Sequence, residues 1–263
     1  MQTISIDSTE RLLNALNSYP NNFAFRGQSN SQWGLQSTLD RYVPQAESRK
    51  TFEDRSLTRF RSEFNLYSRD MERPDKKLSW LSLMQHYGVP TRLLDFSTSP
   101  YVALYFAIEN LVPQKDGELA IYAIDYTALV DCSCEYVKKL NLDFEEYSPS
   151  AKFYRDCESA FEKVLDRQSY DVLWFVDPVQ INSRLEKQAG TFLISGSFEK
   201  TIDELAESDL YRGVRMEKLV IPHVFYKNIY AILRKINLNP KTIYGDLSGL
   251  AKDIQLEMRT YNV

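Results

Sequence analysis

Cysteine, histidine and long apolar runs are scarce in this 263-residue sequence, and each shortage excludes a class of protein. Its three cysteines, Cys132, Cys134 and Cys157, are odd in number and include no CxxC pair, so we expect no disulfide framework and a reducing, cytoplasmic location. Two histidines, His86 and His223, cannot supply a histidine metal cluster, and we expect no bound metal. No apolar run approaches the ~20 residues of a membrane span, and the first residues lack the pattern of a signal peptide, so we expect no membrane partner.

The short motifs that mark common enzyme classes are also missing. The sequence has no GxGxxG, P-loop, GxSxG or HExxH. With 43% hydrophobic and 13% aromatic residues, the chain can still bury a large core. Its formal net charge of -4 argues weakly against a surface that attracts nucleic acid, although residues 41–77 carry ten Lys and Arg against seven Asp and Glu. A nucleic-acid partner would require those bases to converge on the functional site.

The spacing of apolar residues predicts both helices and strands, and therefore one α+β domain over residues 1–263. The expected helices begin near a capping box at Asp7 and Glu10 and cover 51–70, 79–87, 101–110, 224–236 and 247–258. The expected strands cover 23–27, 91–98, 119–124, 171–176, 191–195 and 218–221. The proline at residue 178 should interrupt the regular structure after the strand at 171–176. Residues 131–170 are expected to form a polar, peripheral helical insertion.

Two of these elements carry specific local signals. Phe52, Phe60, Phe64 and Tyr67 recur at helical spacing among charged residues, which predicts that they share one packing face. The pair at residues 99–100, Ser followed by Pro, is typical of a helix N-cap and first turn. The helix that follows is apolar nearly all round and should be buried.

Polar residues of the kinds that bind ligands or react gather at three places near predicted strand and helix ends. These places are residues 25–28, 85–99 and 182–190. Each also has a plain structural explanation, because an Arg-Gly can form a surface turn, a His before a helix end can cap carbonyls, and Ser-Thr-Ser-Pro is a good N-cap. Taken singly, the three clusters leave both interpretations open.

Taken together, the three clusters resemble the FRG domain family. The resemblance rests on FRGQ at 25–28 with Trp33 and Leu35, on LMQHYGVPTRLLDFSTSPYVALYFA at 83–107, on an R-x-x-x-Q-x-G-x-F pattern at Arg184, Gln188, Gly190 and Phe192, on IP at 221–222 and on GDLSGLA at 245–251. It extends from about residue 20 to residue 255, which implies a single FRG domain.

A more distant resemblance connects the chain with ADP-ribosyltransferases of the Arg/Ser-Thr-Ser/Glu type. Those enzymes place Arg-Gly at the end of a first strand, Ser-Thr-Ser before a helix, and a Glu ahead of a Gly-x-x-Phe strand. The same order occurs here at 26–27, at 97–99 and at Glu186 and Gln188 before Gly190 and Phe192. The resemblance implies a split β-sheet core surrounded by helices, with a helical insertion. It also implies NAD as the substrate.

The resemblance to the transferases assigns NAD-binding roles to one set of residues. These are Arg26, Gly27, Gln28, Thr91, Arg92, Ser97, Thr98 and Tyr105. A planar, always charged Arg26 suits the pyrophosphate, and the small Gly27 would let the ligand approach. The hydroxyls of Ser97 and Thr98 would orient the nicotinamide ribose, and Tyr105, like Tyr87 or Tyr101, would stack on nicotinamide. The rival explanation is an internal ion pair of Arg92 or Arg26 with Asp95 that only stabilises the fold.

The catalytic candidates are Gln188, Glu186 and His86. Breaking the glycosidic bond of NAD builds positive charge on the ribose, so a nearby carboxylate would lower the barrier. The FRG resemblance favours Gln188, whereas the transferase pattern expects a carboxylate there. Because an amide cannot carry charge, Glu186, Asp95 or Asp177 would have to supply it, and Glu186 would share a face with Gln188 if that segment is extended. His86 could donate to a phosphate or activate the acceptor.

From the resemblance we expect an NAD-dependent ADP-ribosyltransferase that modifies a macromolecular acceptor, either protein or nucleic acid. Related transferases suggest an intracellular toxin or phage-defence effector, with an antitoxin or regulatory protein as a further partner. The alternative is a non-catalytic module in which Arg26, His86 and Arg92 bind a nucleotide or another anion. A metal-dependent nuclease or hydrolase is a third interpretation, made less favourable by the lack of a dense Asp/Glu/His set.

Overall fold

The centre of the fold is a mixed β-sheet, seen in a computed structural model that describes residues 1–68, 71–140, 157–167, 170–177 and 186–261. Seven strands of this described part pair in the order β1-β7-β4-β2-β3-β6-β5. They are β1 (Gln2–Ser5), β2 (Phe23–Gln28), β3 (Leu94–Ser97), β4 (Glu118–Asp125), β5 (Leu173–Val176), β6 (Gly190–Ser195) and β7 (Met216–Pro222). Neighbours run antiparallel except β1 and β7, which are parallel.

Helices cover both faces of the sheet, so the α+β class expected from the sequence is confirmed. They are α1 (Thr9–Ser18), α2 (Thr38–Tyr42), α3 (Ala46–Tyr67), α4 (Lys77–His86), α5 (Pro100–Glu109), α6 (Tyr126–Leu140), α7 (Cys157–Ala160), α8 (Ile202–Ala206), α9 (Tyr226–Lys235), α10 (Pro240–Tyr244) and α11 (Leu247–Tyr261), with a π-helical turn at Phe161–Leu165 and short 3-10 turns at Asp209–Tyr211 and His223–Phe225. No helix among the described residues is both long enough and apolar enough to span a bilayer.

Strand β4 shows why the sheet has two covered faces. Leu119 and Ile121 belong to one hydrophobic cluster, and Ala120 and Ile124 belong to the other. Successive side chains of a strand point to opposite faces, so a run that is apolar at every position requires packing on both sides. The prediction of a central strand here is confirmed.

Two parts of the sheet are joined by a single residue pair between β2 and β3. Strands β2 and β4 pair over six residues and β3 and β6 over four, but β2 and β3 share one pair, Phe25 with Ser97. Strand β3 is also shorter than predicted, because residues 91–93 are not in strand conformation. Beyond the single pair the two strands diverge, and the sheet is open there.

Two helix N-termini test the predicted caps. The N-cap of α1 is Ser8, whose hydroxyl accepts a hydrogen bond from the backbone N–H of Arg11, while Asp7 forms an exposed ion pair with the same Arg11. The prediction of a cap at Asp7 is therefore displaced by one residue. At α5, Ser99 caps the helix and Pro100 occupies its first turn, which confirms the prediction there.

The buried face of α3 differs from the predicted aromatic face. Its buried residues are Arg49, Glu53, Leu57 and Phe64, whereas Phe52 and Tyr67 are exposed. The helix also begins earlier than predicted, at Ala46, and ends at Tyr67. The aromatic spacing was misleading because charged side chains, paired within the fold, occupy the inner face.

The predicted insertion at 131–170 is helical where it is described, but it is not peripheral. Cys134 and Val137 of α6, together with Phe161 and Leu165, are fully buried in the larger hydrophobic cluster. Residues 141–156 lie outside the described residues, as do the predicted break at residue 178 and the Arg184 of the third motif.

Arg92 lies at the centre of a buried charge cluster rather than in a binding site. Its guanidinium is 3.2 Å from the carboxylate of Glu53 and 2.7 Å from that of Asp166. The guanidinium carbon, Cζ, lies 4.9 Å from the ring centroids of both Phe161 and Phe198. Burial raises the pKa of Glu53, and the positive charges of Arg92 and Lys77 oppose that shift. The NAD-binding role predicted for Arg92 is wrong: the residue fixes the fold, as the rival explanation held, but through Glu53 and Asp166 instead of Asp95.

We predict that Arg92→Ala lowers the free energy of unfolding by about 3–5 kcal/mol, because Glu53 would be left buried without its closest cation. Arg59→Ala is the matched control, since Arg59 forms an exposed 3.0 Å ion pair with Glu63 on the same helix as Glu53. That control should cost less than about 1 kcal/mol. Urea unfolding followed by circular dichroism measures both, and equal losses would contradict the assignment.

Candidate functional site

A cavity of about 370 Å³ lies where β2 and β3 diverge, between the sheet and helices α5 and α11. Its volume is within the range of small-molecule sites. The described residues that line it are Phe25, Arg26, Gly27, Ser82, Gln85, His86, Asp95, Phe96, Ser97, Ala103, Phe106, Glu109, Asn110, Gln188, Gly190, Phe192, Tyr244 and Lys252. Five predicted site residues from all three sequence clusters are therefore brought together: Arg26, Gly27, His86, Ser97 and Gln188.

Arg26 spans the opening between the two strands. Its Nη1 donates a 2.7 Å hydrogen bond to the backbone carbonyl of Asp95, so the guanidinium connects β2 with β3 where backbone pairing has stopped. Burial lowers the pKa of Arg26, and the charge of Asp95 opposes this effect. Its Nε is buried and has no hydrogen-bond partner among the described residues.

Gly27 is required by packing between the sheet and α5. A Cβ at this position would overlap the backbone carbonyl oxygen of Ala103 and lie 2.8 Å from the backbone nitrogen of Ala107. Strand β2 and helix α5 thus touch backbone to backbone. Gly27 lines the cavity, but its missing side chain makes room for α5 rather than for a ligand, which corrects the reason given for it from sequence.

Ser97 and Thr98 hold the turn that carries Gln188. The Ser97 hydroxyl donates to the carbonyl of Gln188 over 2.7 Å, and the backbone N–H of Thr98 donates to the carbonyl of Ala189 over 2.9 Å. Thr98 is exposed and does not line the cavity. Both residues therefore position another part of the site, and the ribose contact predicted for Thr98 has no support in this geometry.

The segment around Gln188 is a turn, and the expected extended conformation is wrong. Residues 186–187 are helical, 188–189 form a turn, and Ala189 has a φ of 44°. Gln188 lines the cavity, and its Nε2 is buried without a hydrogen-bond partner in the described part of the chain. Glu186 is exposed and is not among the described residues of the lining, so the two side chains do not act from one face.

His86 reaches the cavity from the last turn of α4. Its ring stands edge-on to that of Tyr87, with 4.9 Å between the centroids. Beside it, Gln85 donates a 2.8 Å hydrogen bond from Nε2 to the carboxylate of Asp95. The histidine thus lies next to a polar pair that belongs to two different elements.

Residues 21–116 match the family model of the FRG domain. The predicted resemblance to the FRG domain is confirmed over this segment. The matched segment includes Arg26, His86 and Ser97, and it ends before Gln188. No curated protein and no solved structure matches the chain significantly.

Several residues of the matched segment that were predicted to bind NAD lie in the interior of the protein instead. Gln28 is buried and donates from Nε2 to the carbonyl of Gly34, and Thr91 is buried and donates to the Gln85 side chain. Tyr105 is also buried, and its hydroxyl donates to Glu109 over 2.9 Å. None of the three is a lining residue, so their predicted ligand contacts, including stacking of Tyr105 on nicotinamide, are corrected. Phe106, the next residue, does line the cavity.

Sequence reasoning missed the wall of the cavity formed by α5, α10 and α11. Glu109, Tyr244 and Lys252 line it together, and Lys252 forms a 2.9 Å ion pair with Glu109. One signal was present in the sequence, because Glu109 is the only charged residue in the otherwise apolar helix α5. Tyr244 and Lys252 lie too far along the chain for any short motif to connect them with the rest.

Two residues that line the cavity carry buried hydrogen-bond donors without a partner in the described part of the chain. These donors are Arg26 Nε and Gln188 Nε2. Buried donors are normally paired, and leaving one unpaired costs about 1–3 kcal/mol. The arrangement suits a ligand with several acceptor oxygens. The described residues contain no group of three or more His, Cys, Asp or Glu that could hold a metal ion.

We predict that Gly27→Ala destabilises the fold by about 1–3 kcal/mol, because the added methyl group pushes α5 away from β2. Gly213→Ala is the control, since a Cβ there meets nothing within 4 Å. The control should stay within about 1 kcal/mol of wild type. Thermal unfolding of both variants measures the difference, and a well-tolerated Gly27→Ala would refute the close contact.

Proposed function

We propose that the cavity binds NAD and that the protein transfers its ADP-ribose to a macromolecular acceptor. The observation that carries the proposal is a pair of buried donors, Arg26 Nε and Gln188 Nε2, which have no partner among the described residues and belong to two residues that line one cavity between the two parts of the sheet. NAD supplies acceptor oxygens for both, in its pyrophosphate and in its carboxamide. The motif order shared with the transferases, Arg-Gly, Ser-Thr-Ser and then the turn at 188, supports the same function.

Charge supports a ligand that is anionic at one end and neutral or cationic at the other. The lining cations are Arg26 and Lys252, and the lining carboxylates are Asp95 and Glu109. Lys252 is already paired with Glu109, whereas the guanidinium of Arg26 contacts a neutral carbonyl. Arg26 is therefore the group available to a phosphate, and a planar guanidinium can donate two parallel hydrogen bonds to it.

The reaction would break the bond between ribose C1′ and the nicotinamide nitrogen, and the bonding pair would leave with nicotinamide. A nucleophile of the acceptor would form the new bond to C1′ and lose a proton. Gln188 would hold the leaving group or the ribose through its amide, since it cannot carry charge. The turn beneath it, fixed by Ser97, gives that amide a defined position.

A non-catalytic nucleotide-binding or anion-binding module is the second candidate. It is favoured by the amide at position 188, where the transferase pattern has a carboxylate. The anion-binding cluster predicted for it loses one of its three members. Arg92 is buried against Glu53 and Asp166, whereas Arg26 and His86 line the cavity.

The identity of the acceptor, whether protein or nucleic acid, stays a prediction, as do an antitoxin or regulatory partner and a role in toxicity or phage defence. The basic stretch at 41–77 contributes none of the described residues that line the cavity. Several of its cations, such as Lys50, Arg59 and Lys76, are paired with carboxylates. A nucleic-acid acceptor would have to use the remaining bases of this stretch.

We predict that wild-type protein releases nicotinamide from NAD and transfers adenylate label to a component of cell lysate, and that NAD raises its melting temperature. Arg26→Ala should weaken NAD binding by about 10- to 100-fold, the equivalent of one charge-assisted hydrogen bond. Arg26→Lys should recover part of that loss, because it keeps the charge without the planar fork.

Arg212→Ala is the matched control, because Arg212 is exposed and pairs with Asp209 in a 3-10 turn, outside the lining. Its NAD binding should equal that of wild type. Melting without NAD shows whether loss of the Asp95 contact unfolds Arg26→Ala. Binding of NAD without nicotinamide release would favour the module over the enzyme, and the absence of both would refute the two candidates together.

A further inference from the structure

A buried carboxylate outside the three sequence clusters lies at one wall of the cavity. Glu109 is the last residue of α5 and is 8% exposed. Its Oε1 accepts hydrogen bonds from the hydroxyls of Tyr105 and Tyr244 and from the ammonium of Lys252. Three donors on one oxygen fix the position of this group.

This position is unfavourable for an anion on local grounds. The C-terminal end of a helix carries a partial negative charge, which disfavours a carboxylate by roughly 0.3–1 kcal/mol. Burial adds a desolvation cost, so an apolar residue with fewer partners would often be at least as stable. The fold offsets these costs with Lys252, whose ammonium is 2.9 Å from Glu109, and with Arg259, which donates to the backbone carbonyl of Glu109 over 2.7 Å.

The second oxygen of the carboxylate is less committed. Its one hydrogen bond among the described residues comes from the side chain of Asn110, at 3.4 Å. An ionised carboxylate oxygen can accept more than one such bond. Burial, followed by the charge of Glu109, raises the pKa of Tyr105, so that phenol stays protonated and continues to donate. The carboxylate is thus held from one side and presents accepting capacity on the other.

From this geometry we infer that Glu109 is the catalytic carboxylate of the sugar transfer, in place of the carboxylate absent at position 188. The inference rests on the proposed function. Gln188 and Glu109 line the same cavity, whereas Glu186 is outside the described lining. Asp95 lines the cavity too, but it is exposed, so water screens its charge.

Glu109 is assigned two roles in the reaction. It first stabilises positive charge on the ribose, and it then accepts a proton from the acceptor. As the C1′–nitrogen bond breaks, the electron pair leaves with nicotinamide, and positive charge spreads over C1′ and the ring oxygen. A carboxylate that three donors already hold in place stabilises that charge more than water would, because it need not reorient during the reaction. The acceptor nucleophile then bonds to C1′, and its proton passes to Glu109 and from there to solvent. Lys252, Tyr105 and Tyr244 are positioning residues.

The test compares Glu109→Gln with wild type in nicotinamide release and in the NAD-induced rise of the melting temperature. The substitution keeps the size and one accepting oxygen for Tyr105, Tyr244 and Lys252, but it removes the charge and replaces the other oxygen by an NH2 donor. We expect kcat to fall by at least about 100-fold, within the range that positioned acid–base groups contribute, while the NAD-induced shift is retained. Glu217→Gln is the matched control, because Glu217 is another buried carboxylate, with a tyrosine hydroxyl (Tyr19) at 2.6 Å and an ion pair to Arg215, and it does not line the cavity.

The control should turn over NAD at the wild-type rate. If Glu109→Gln is active at that rate too, the inference about Glu109 is overturned and the proposed function stands. If wild type itself releases no nicotinamide, the proposed function fails and the inference fails with it.

A second comparison applies if Glu109→Gln loses its thermal transition. The double variant Glu109→Gln with Lys252→Gln removes both charges of the pair, and it is compared with Lys252→Gln alone. A further large loss of kcat in the double variant supports the inference, and equal rates contradict it.

Discussion

The backbone contact between Gly27 and Ala103 is the constraint on which the site depends. It lets α5 lie directly against β2. The helix also contacts β3, and its last residue, Glu109, lines the cavity. A side chain at Gly27 would separate the two elements. The cavity would then lose the fixed spacing between Arg26 on the strand and Glu109 on the helix.

Three polar side chains at or near this cavity donate to backbone carbonyls of other elements. Arg26 donates to the carbonyl of Asp95, Ser97 to that of Gln188, and Arg259 to that of Glu109. Such contacts do not depend on flexible partners, so they place side chains accurately at a point where the sheet itself provides little pairing. The diverging strands β2 and β3 are thus connected by the side chain of Arg26.

The sequence predicted those parts of the fold in which local chemistry and the tertiary environment agree. An unbroken apolar run identified β4, and Ser99 with Pro100 identified the start of α5. Prediction failed where charged residues are buried. Arg49 and Glu53 lie on the inner face of α3, although their chemistry is that of a surface, and the aromatic residues that suggested the opposite face are partly exposed. Short elements such as β1 and α10 carried too little pattern to be found.

The candidate site was predictable to the extent that short motifs mark strand and helix ends. Such motifs indicate that a residue is near the site, but they do not show which way its side chain points: Ser97 and Gln188 line the cavity, whereas Thr98 and Tyr105 do not. The guanidinium of Arg26 both connects β2 with β3 and lines the cavity. A ligand that competes for the donor held by Asp95 acts on the spacing of β2 and β3, and by thermodynamic reciprocity any force that widens this spacing changes the affinity for that ligand.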